Sequence, residues 1–194
     1  MENCLVFQVR IHGRGGQGVV TAAELLAQSA FDEKRFAQAF PSFGSERTGA
    51  PVVAFCRIAD SEIRVREPIM FPDALIIQDS TLLRQVDVFA GLKNDGYALI
   101  NSTRTFEQLG IADFVGEQSR FITVPATAMA MEHLGRPVPN AVLLGAFAAL
   151  TQIVSLDSVT HAIRGKFKPK IAESNCSAAT AAYEYVYNLV GSHA

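Results

Sequence analysis

Cysteine is scarce in this 194-residue sequence, and Cys4, Cys56 and Cys176 stand far apart and odd in number. Neither a disulfide framework nor a CxxC-type metal or cluster site can be built from them, and a reducing, cytoplasmic compartment is the expectation. Charge of one sign is also lacking. The 17 basic and 19 acidic residues leave a net charge of -2 and no electrostatic footprint for nucleic acid or an anionic membrane. The most apolar stretch, 140–154, is shorter than the roughly 20 residues a membrane span needs, and reads as a buried helix. The N-terminal residues include Glu2 and lack the basic-then-apolar pattern of a secretory signal. There is no internal repeat and no low-complexity segment. His12, His133, His161 and His193 show no metal-ligand spacing, and no Ser-His-Asp or Cys-His constellation stands out. A self-contained enzyme with its own acid, base or metal is thereby poorly supported.

What is present is an alternation of strand-length apolar runs with helical segments: Leu5–Ile11, Arg35–Phe40, Pro51–Ile58, Ala74–Gln78, Tyr97–Ile100 and Phe121–Pro125. This predicts an α/β fold, a single layered domain over residues 1–194, with a mostly parallel sheet. Its length suffices to bury roughly 70% of the surface that the unfolded chain exposes. Only Ala59-Asp60-Ser61-Glu62 separates Pro51–Ile58 from Ile63-Arg64-Val65, which is too short for a parallel crossover and suits a β-hairpin, so the sheet is expected to be mixed. After Pro125 the pattern turns helical: Ala126–Leu134, Asn140–Ile153, Leu156–Lys166 and Ala172–Leu189, with Ser155 and Asn140 as candidate N-caps.

Between the first strand and the run beginning at Val19 lies Gly13-Arg14-Gly15-Gly16-Gln17-Gly18. A glycine turn at a strand–helix junction lets backbone N–H groups approach an anion, and the helix start adds unpaired donors and a partial positive charge. Gly13 and Gly15 would permit the tight turn and close ligand approach, Gly18 would permit close helix–strand packing, and Arg14 could add a charge-assisted contact to phosphate. The bland alternative is a sharp β–α corner. The second strand ends in Phe40-Pro41 without an Asp or Glu for a ribose, which argues against a standard dinucleotide site.

The loop Phe40–Pro51 follows the second strand, so its tip is expected at the strands' carboxyl edge beside the glycine turn. It carries Ser45, Glu46 and Arg47, which are either partner- and anion-facing groups or a solvated charge pair. Asp79-Ser80 and Asn101-Ser102 end later strands, and helix capping is the role read for both.

These residues resemble the gamma subunit, or gamma domain, of 2-oxoacid:ferredoxin oxidoreductases, most closely the pyruvate and branched-chain 2-oxoacid members. The resemblance rests on Gly13–Ala22, Phe40–Pro51, Pro72-Asp73-Ala74 through Gln78-Asp79, Pro139–Phe147 and Lys170–Asn175, in that order over nearly the whole chain. The sequence departs from the pyruvate-type pattern at Ser45, often proline, and at Thr48, often arginine. The resemblance implies a complex in which alpha, beta and delta-type subunits hold thiamine diphosphate, magnesium and [4Fe-4S] clusters. Such a complex passes an acyl group from a 2-oxoacid to coenzyme A and electrons to ferredoxin or flavodoxin. Because the two loops share one strand-end edge, the expectation is that the glycine turn, Gly13 to Gly18 with Arg14 and Gln17, receives the coenzyme's phosphates or a neighbouring subunit's loop, while Ser45, Glu46 and Arg47 gate the approach of the thiol. No catalytic residue is assigned. Two other readings stay open: a purely structural subunit, and a free-standing nucleotide-binding oxidoreductase.

Overall fold

The computed structural model describes residues 6–42, 48–115 and 120–191. Six strands form one sheet in the order β2-β3-β1-β4-β5-β6. They are β1 (Phe7–Arg14), β2 (Phe36–Pro41), β3 (Pro51–Ala59), β4 (Ala74–Ile77), β5 (Tyr97–Asn101) and β6 (Phe121–Val124). The β1–β4, β4–β5 and β5–β6 pairs are parallel, whereas β3 runs antiparallel to both β1 and β2. The sheet is therefore mixed and the six expected strands are all present.

The hairpin has other members than expected. Ile63-Arg64-Val65 is not a strand, and the antiparallel neighbours in sequence are β2 and β3. Both edges of β3 are occupied, by β1 and by β2, which leaves no unpaired ladder for a further strand. The following segment is held by a side chain instead: Arg57 donates to the carbonyls of Val65 and Glu67 at 3.4 and 2.6 Å.

Period-two alternation sends each strand's residues to two different covers. Val9, Ile11, Ala54, Cys56, Ile58, Ile76 and Leu99 join the main core beneath the helices. On the opposite face Leu75, Ile77, Ala98, Ile100 and Phe121 pack against the irregular segment around Leu82, Val88 and Leu109. Because both faces are covered, β4 reads as the unbroken apolar run Ala-Leu-Ile-Ile. That second face also carries Arg10, which donates to the carbonyls of Ile69, Val88 and Ala90 and through Nε to Nε2 of His12 at 3.0 Å. Burial, aided by the Arg10 charge, pushes the His12 pKa down to about 3. Its role is structural: a neutral acceptor for a buried guanidinium.

The helical layer comprises α1 (Val19–Asp32), α3 (Ala126–Leu134), α4 (Asn140–Thr151), α5 (Leu156–Lys166) and α6 (Pro169–Gly191), while the short α2 (Phe106–Leu109) lies in the other cover. Every residue of α4 from Asn140 to Leu150 is buried, as an apolar surface on all sides requires. At Gly145 a Cβ would stand 1.9 Å from the Ala179 carbonyl oxygen, so α4 and α6 meet backbone to backbone. Ser155 caps α5 as expected, accepting from Ser158 N–H at 3.1 Å. Asn140 does not cap α4. The N-cap is Pro139, and Asn140 is the first helical residue, its Oδ1 accepting from Ala141 N–H at 2.8 Å. Helix α6 begins three residues before the expected Ala172 because Pro169, which needs no N–H partner in the first turn, extends it. Among the described residues, no helix is long and apolar enough to cross a membrane.

Candidate functional site

From β1 the chain runs through α1 towards β2 on one side of the sheet, whereas from β4 it runs to β5 on the other, although β1 and β4 are parallel neighbours. Connections that diverge in this way open a crevice at the strands' carboxyl ends, where α/β sheets bind ligands. The glycine turn forms one wall of that crevice. The loop after β2 returns beside it, as expected: Gly15 N–H donates to Ala50 O at 2.9 Å, and Gly49 N–H to Gly15 O at 3.1 Å. Ser45, Glu46 and Arg47 lie outside the described residues.

The glycines divide the work differently from the expectation. Gly13 belongs to β1, and a Cβ there would lie 2.6 Å from Val19 Cγ2 and 3.1 Å from both the Gln17 and Gln78 Oε1 atoms, so protein and not ligand occupies its approach. Gly18 is the N-cap of α1 in the left-handed conformation (φ 73), and a Cβ there would meet the Asn140 carboxamide at 2.7 Å. Its close packing is against α4, not against a strand. Helix α1 has no capping side chain, so the first-turn N–H groups of Val19, Val20 and Thr21 have no intrahelical acceptor. Gly16 is exposed at the tip of the turn.

Arg14 ends β1, and all of its donor nitrogens are engaged. Nε meets Asp79 Oδ2 at 3.1 Å, Nη1 donates to Gly49 O at 3.0 Å, and Nη2 donates to Thr81 Oγ1 at 2.6 Å and Gln85 Oε1 at 3.0 Å. Gln17 completes the knot: its Oε1 accepts from Arg14 N–H at 2.8 Å and its Nε2 donates to Asp79 Oδ2 at 3.0 Å. Asp79 also caps the 3-10 turn Ser80–Arg84 by accepting from Thr81 N–H, the role expected of it. Burial works against ionisation of this carboxyl. The Thr81 hydroxyl, the Gln17 amide, the Thr81 N–H and the Arg14 charge outweigh that penalty and hold its pKa below the usual carboxylate value.

Beside this knot a cavity of about 560 Å³ opens along the ends of β4, β5 and β6, lined by Gln17, Gln78, Asp79, Asn101, Arg84 and Arg104 among others. Asn101 serves as a cap, but of a distant helix. Its Oδ1 accepts from Thr127 N–H in the first turn of α3 at 3.1 Å, and its Nδ2 donates to Gln78 O at 2.8 Å. Arg84 and Arg104 are exposed on the rim and, among the described residues, their guanidinium groups make no ion pair or hydrogen bond. Gln78, Arg84 and Arg104 had no role in the sequence reading. Only the strand-end position of Gln78 pointed to it, and nothing in sequence order brings Arg84 to Arg104. Among the described residues no cysteine lines the crevice: Cys56 is buried in the core and its thiol is pushed up to about 12. Among the described residues no three His, Cys, Asp or Glu side chains converge on a metal-sized point.

The strand-end crevice thus presents an uncapped helix start and a cationic rim, on a sheet whose second strand is an edge two places from β1, an order other than that of the dinucleotide fold. Residues 8–185 match the family model described as pyruvate ferredoxin/flavodoxin oxidoreductase. The pyruvate synthase subunit PorC of Methanothermobacter thermautotrophicus is 47% identical over 184 residues, covering 95% of this chain and 98% of that protein. The crystal structure of pyruvate oxidoreductase subunit PORC from Thermotoga maritima superposes with a TM-score of 0.81 at 35% identity, over 92% of this chain and 96% of that one. The 2-oxoglutarate:ferredoxin oxidoreductase of Magnetococcus marinus, solved with 2-oxoglutarate, coenzyme A and succinyl-CoA bound, shares the fold over 95% of this chain and 31% of its own, with a TM-score of 0.74 at 17% identity. The chain belongs to the pyruvate ferredoxin/flavodoxin oxidoreductase family. Its place there is that of the gamma subunit of a multisubunit oxidoreductase.

Proposed function

We propose that this subunit serves a cytoplasmic, pyruvate-type 2-oxoacid:ferredoxin oxidoreductase by receiving coenzyme A, its phosphates meeting the backbone N–H groups of the glycine turn and of the first turn of α1. Alpha, beta and delta-type partners hold thiamine diphosphate, magnesium and the [4Fe-4S] clusters, and ferredoxin or flavodoxin takes the electrons. The observation that carries this reading is the uncapped start of α1, two residues after Gln17, which lines a crevice with a cationic rim. In it Arg14 is a positioning residue, since its donors are spent on Asp79, Gly49, Thr81 and Gln85 and so hold the turn in its receptive shape. Ser45, Glu46 and Arg47, on the loop tied to the turn at Gly49 and Ala50, gate the thiol.

The spent donors of Arg14 also favour a second reading, in which the turn only closes a corner and the subunit is structural. Kinetics of the assembled, anaerobically purified enzyme separate the two. With Arg14→Ala the coenzyme A KM rises severalfold at unchanged pyruvate KM if the turn receives the coenzyme. Equal effects on both substrates, or none, leave the structural subunit standing.

A further inference from the structure

Gln78 directly follows β4, and alternation after Ile77 turns its side chain to the face on which α1 begins. Its main chain is fully used: N–H donates to His12 O at 2.8 Å and its carbonyl accepts from Asn101 Nδ2 at 2.8 Å. Its carboxamide is not. The residue is 1% exposed, lines the cavity, and neither Nε2 nor Oε1 has a hydrogen-bond partner among the described residues.

A buried carboxamide with both bonds unmade is costly, and nearly all such groups in folded proteins are satisfied by protein, water or ligand. The contrast with its surroundings is informative. Of the other three carboxamides of the cavity wall, Gln17 and Asn101 have both ends bonded within the chain, and the exposed Gln85 accepts from Arg14 through its Oε1. Among the described residues the rim offers two guanidinium groups without partners, Arg84 and Arg104, and the one carboxylate of the wall, Asp79, is already matched by Arg14. The site therefore combines one unfilled donor–acceptor pair at its floor with positive charge at its mouth.

We propose that the Gln78 carboxamide completes its two hydrogen bonds on a bound ligand, pairing with a planar group that presents a donor and an acceptor side by side, while Arg84 and Arg104 meet that ligand's phosphate. A secondary amide and a nucleobase edge share this chemistry. The inference deepens the coenzyme A reading and rests on it, because that coenzyme carries both groups, the adenine at one end and the amides of the pantetheine arm at the other. Gln78 acts as a recognition residue and takes no part in bond making.

The test uses the assembled enzyme and three probes: coenzyme A, adenosine 3′,5′-bisphosphate and pantetheine. Gln78→Met keeps the side-chain shape and removes both polar atoms. The ligand-free Gln78→Met complex is expected to melt at or above the wild-type temperature, since an unsatisfied buried amide has gone. Its coenzyme A Kd is expected to rise about tenfold, the scale of one or two neutral hydrogen bonds. One of the two fragments should lose affinity in step and so identify the base or the amide as the group on Gln78. Should Gln78→Met not assemble, Gln78→Leu removes the same two polar atoms with a shorter side chain and no added charge, and should weaken the same fragment. Unchanged Kd values for all three probes would overturn the proposal and assign the carboxamide to ordered water. Hydrogen–deuterium exchange keeps the two levels apart. Protection of residues 13–21 by coenzyme A in the wild-type complex with no response to the Gln78 variants leaves the coenzyme reading intact and this inference wrong. Absence of that protection removes both.

Discussion

Arg14 at the end of β1 and Asp79 at the end of β4 meet at 3.1 Å across the crevice, with side-chain exposures of 21% and 17%. The pair spans the point where the sheet's connections diverge, and so joins the glycine turn to the wall of the ligand cavity. A partly shielded pair with additional hydrogen bonds is worth more than an exposed one, and removing one member leaves the other uncompensated.

Asp79→Asn should therefore destabilise the chain by about 1–2 kcal/mol, since charge is lost while shape is retained. The acid limb carries the second signature. The folded-state pKa of Asp79 lies below its unfolded value, so its contribution is fully present above the unfolded pKa and is lost as pH falls through the folded one. Denaturation midpoints of the wild type should drop below about pH 4, and those of the Asn variant should drop less there.

His12 predicts a pH effect in a different window. Its folded pKa of about 3 lies below the unfolded value of 6.5, so the unfolded chain binds a proton that the folded one refuses between those limits. Stability should fall with decreasing pH through this range, by up to about 1.4 kcal/mol per pH unit for one group. His12→Gln retains an acceptor for Arg10 and should flatten the dependence between pH 6 and pH 4 in the same denaturation series.

Gly145→Ala should be severely destabilising. The new methyl would sit 1.9 Å from the Ala179 backbone carbonyl, so α6 must move away from α4 as a unit. A loss of about 3 kcal/mol or more is expected, the upper end for overpacking, read as a lowered melting temperature and reduced incorporation into the complex. Gly165→Ala, where a Cβ meets nothing within 4 Å, is the control and should cost nothing measurable.

Replacing Arg84 and Arg104 together by Ala should weaken coenzyme A binding to the assembled enzyme and flatten its dependence on ionic strength, because the rim cations are exposed and screened by salt. Pyruvate KM and melting temperature should stay at wild-type values. An unaltered salt dependence would place the coenzyme's phosphates elsewhere.

All six strands and the four C-terminal helices were legible from apolar runs and their punctuation, because strand and helix periods are local properties of consecutive residues. Asp79 and Ser155 were legible as caps for the same reason. Ile63-Arg64-Val65 misled because hairpin spacing is local, whereas the vacancy of a strand edge is not: β3 is paired on one side by β1, some 40 residues earlier in the chain. Arg14 read as a free cation because its partners at positions 49, 79, 81 and 85 are distant in sequence.

The sequence by itself determined the layered α/β class, the glycine turn between β1 and α1, and the family. Those follow from spacing along the chain. Only the tertiary structure decided that β3 would enter between β1 and β2, that the Arg14 donors would be consumed by Asp79 and its neighbours, and that the Gln78 carboxamide would be left without a partner among the described residues. Each of these depends on which distant segments compete for the same hydrogen-bonding groups, and that competition is resolved in space.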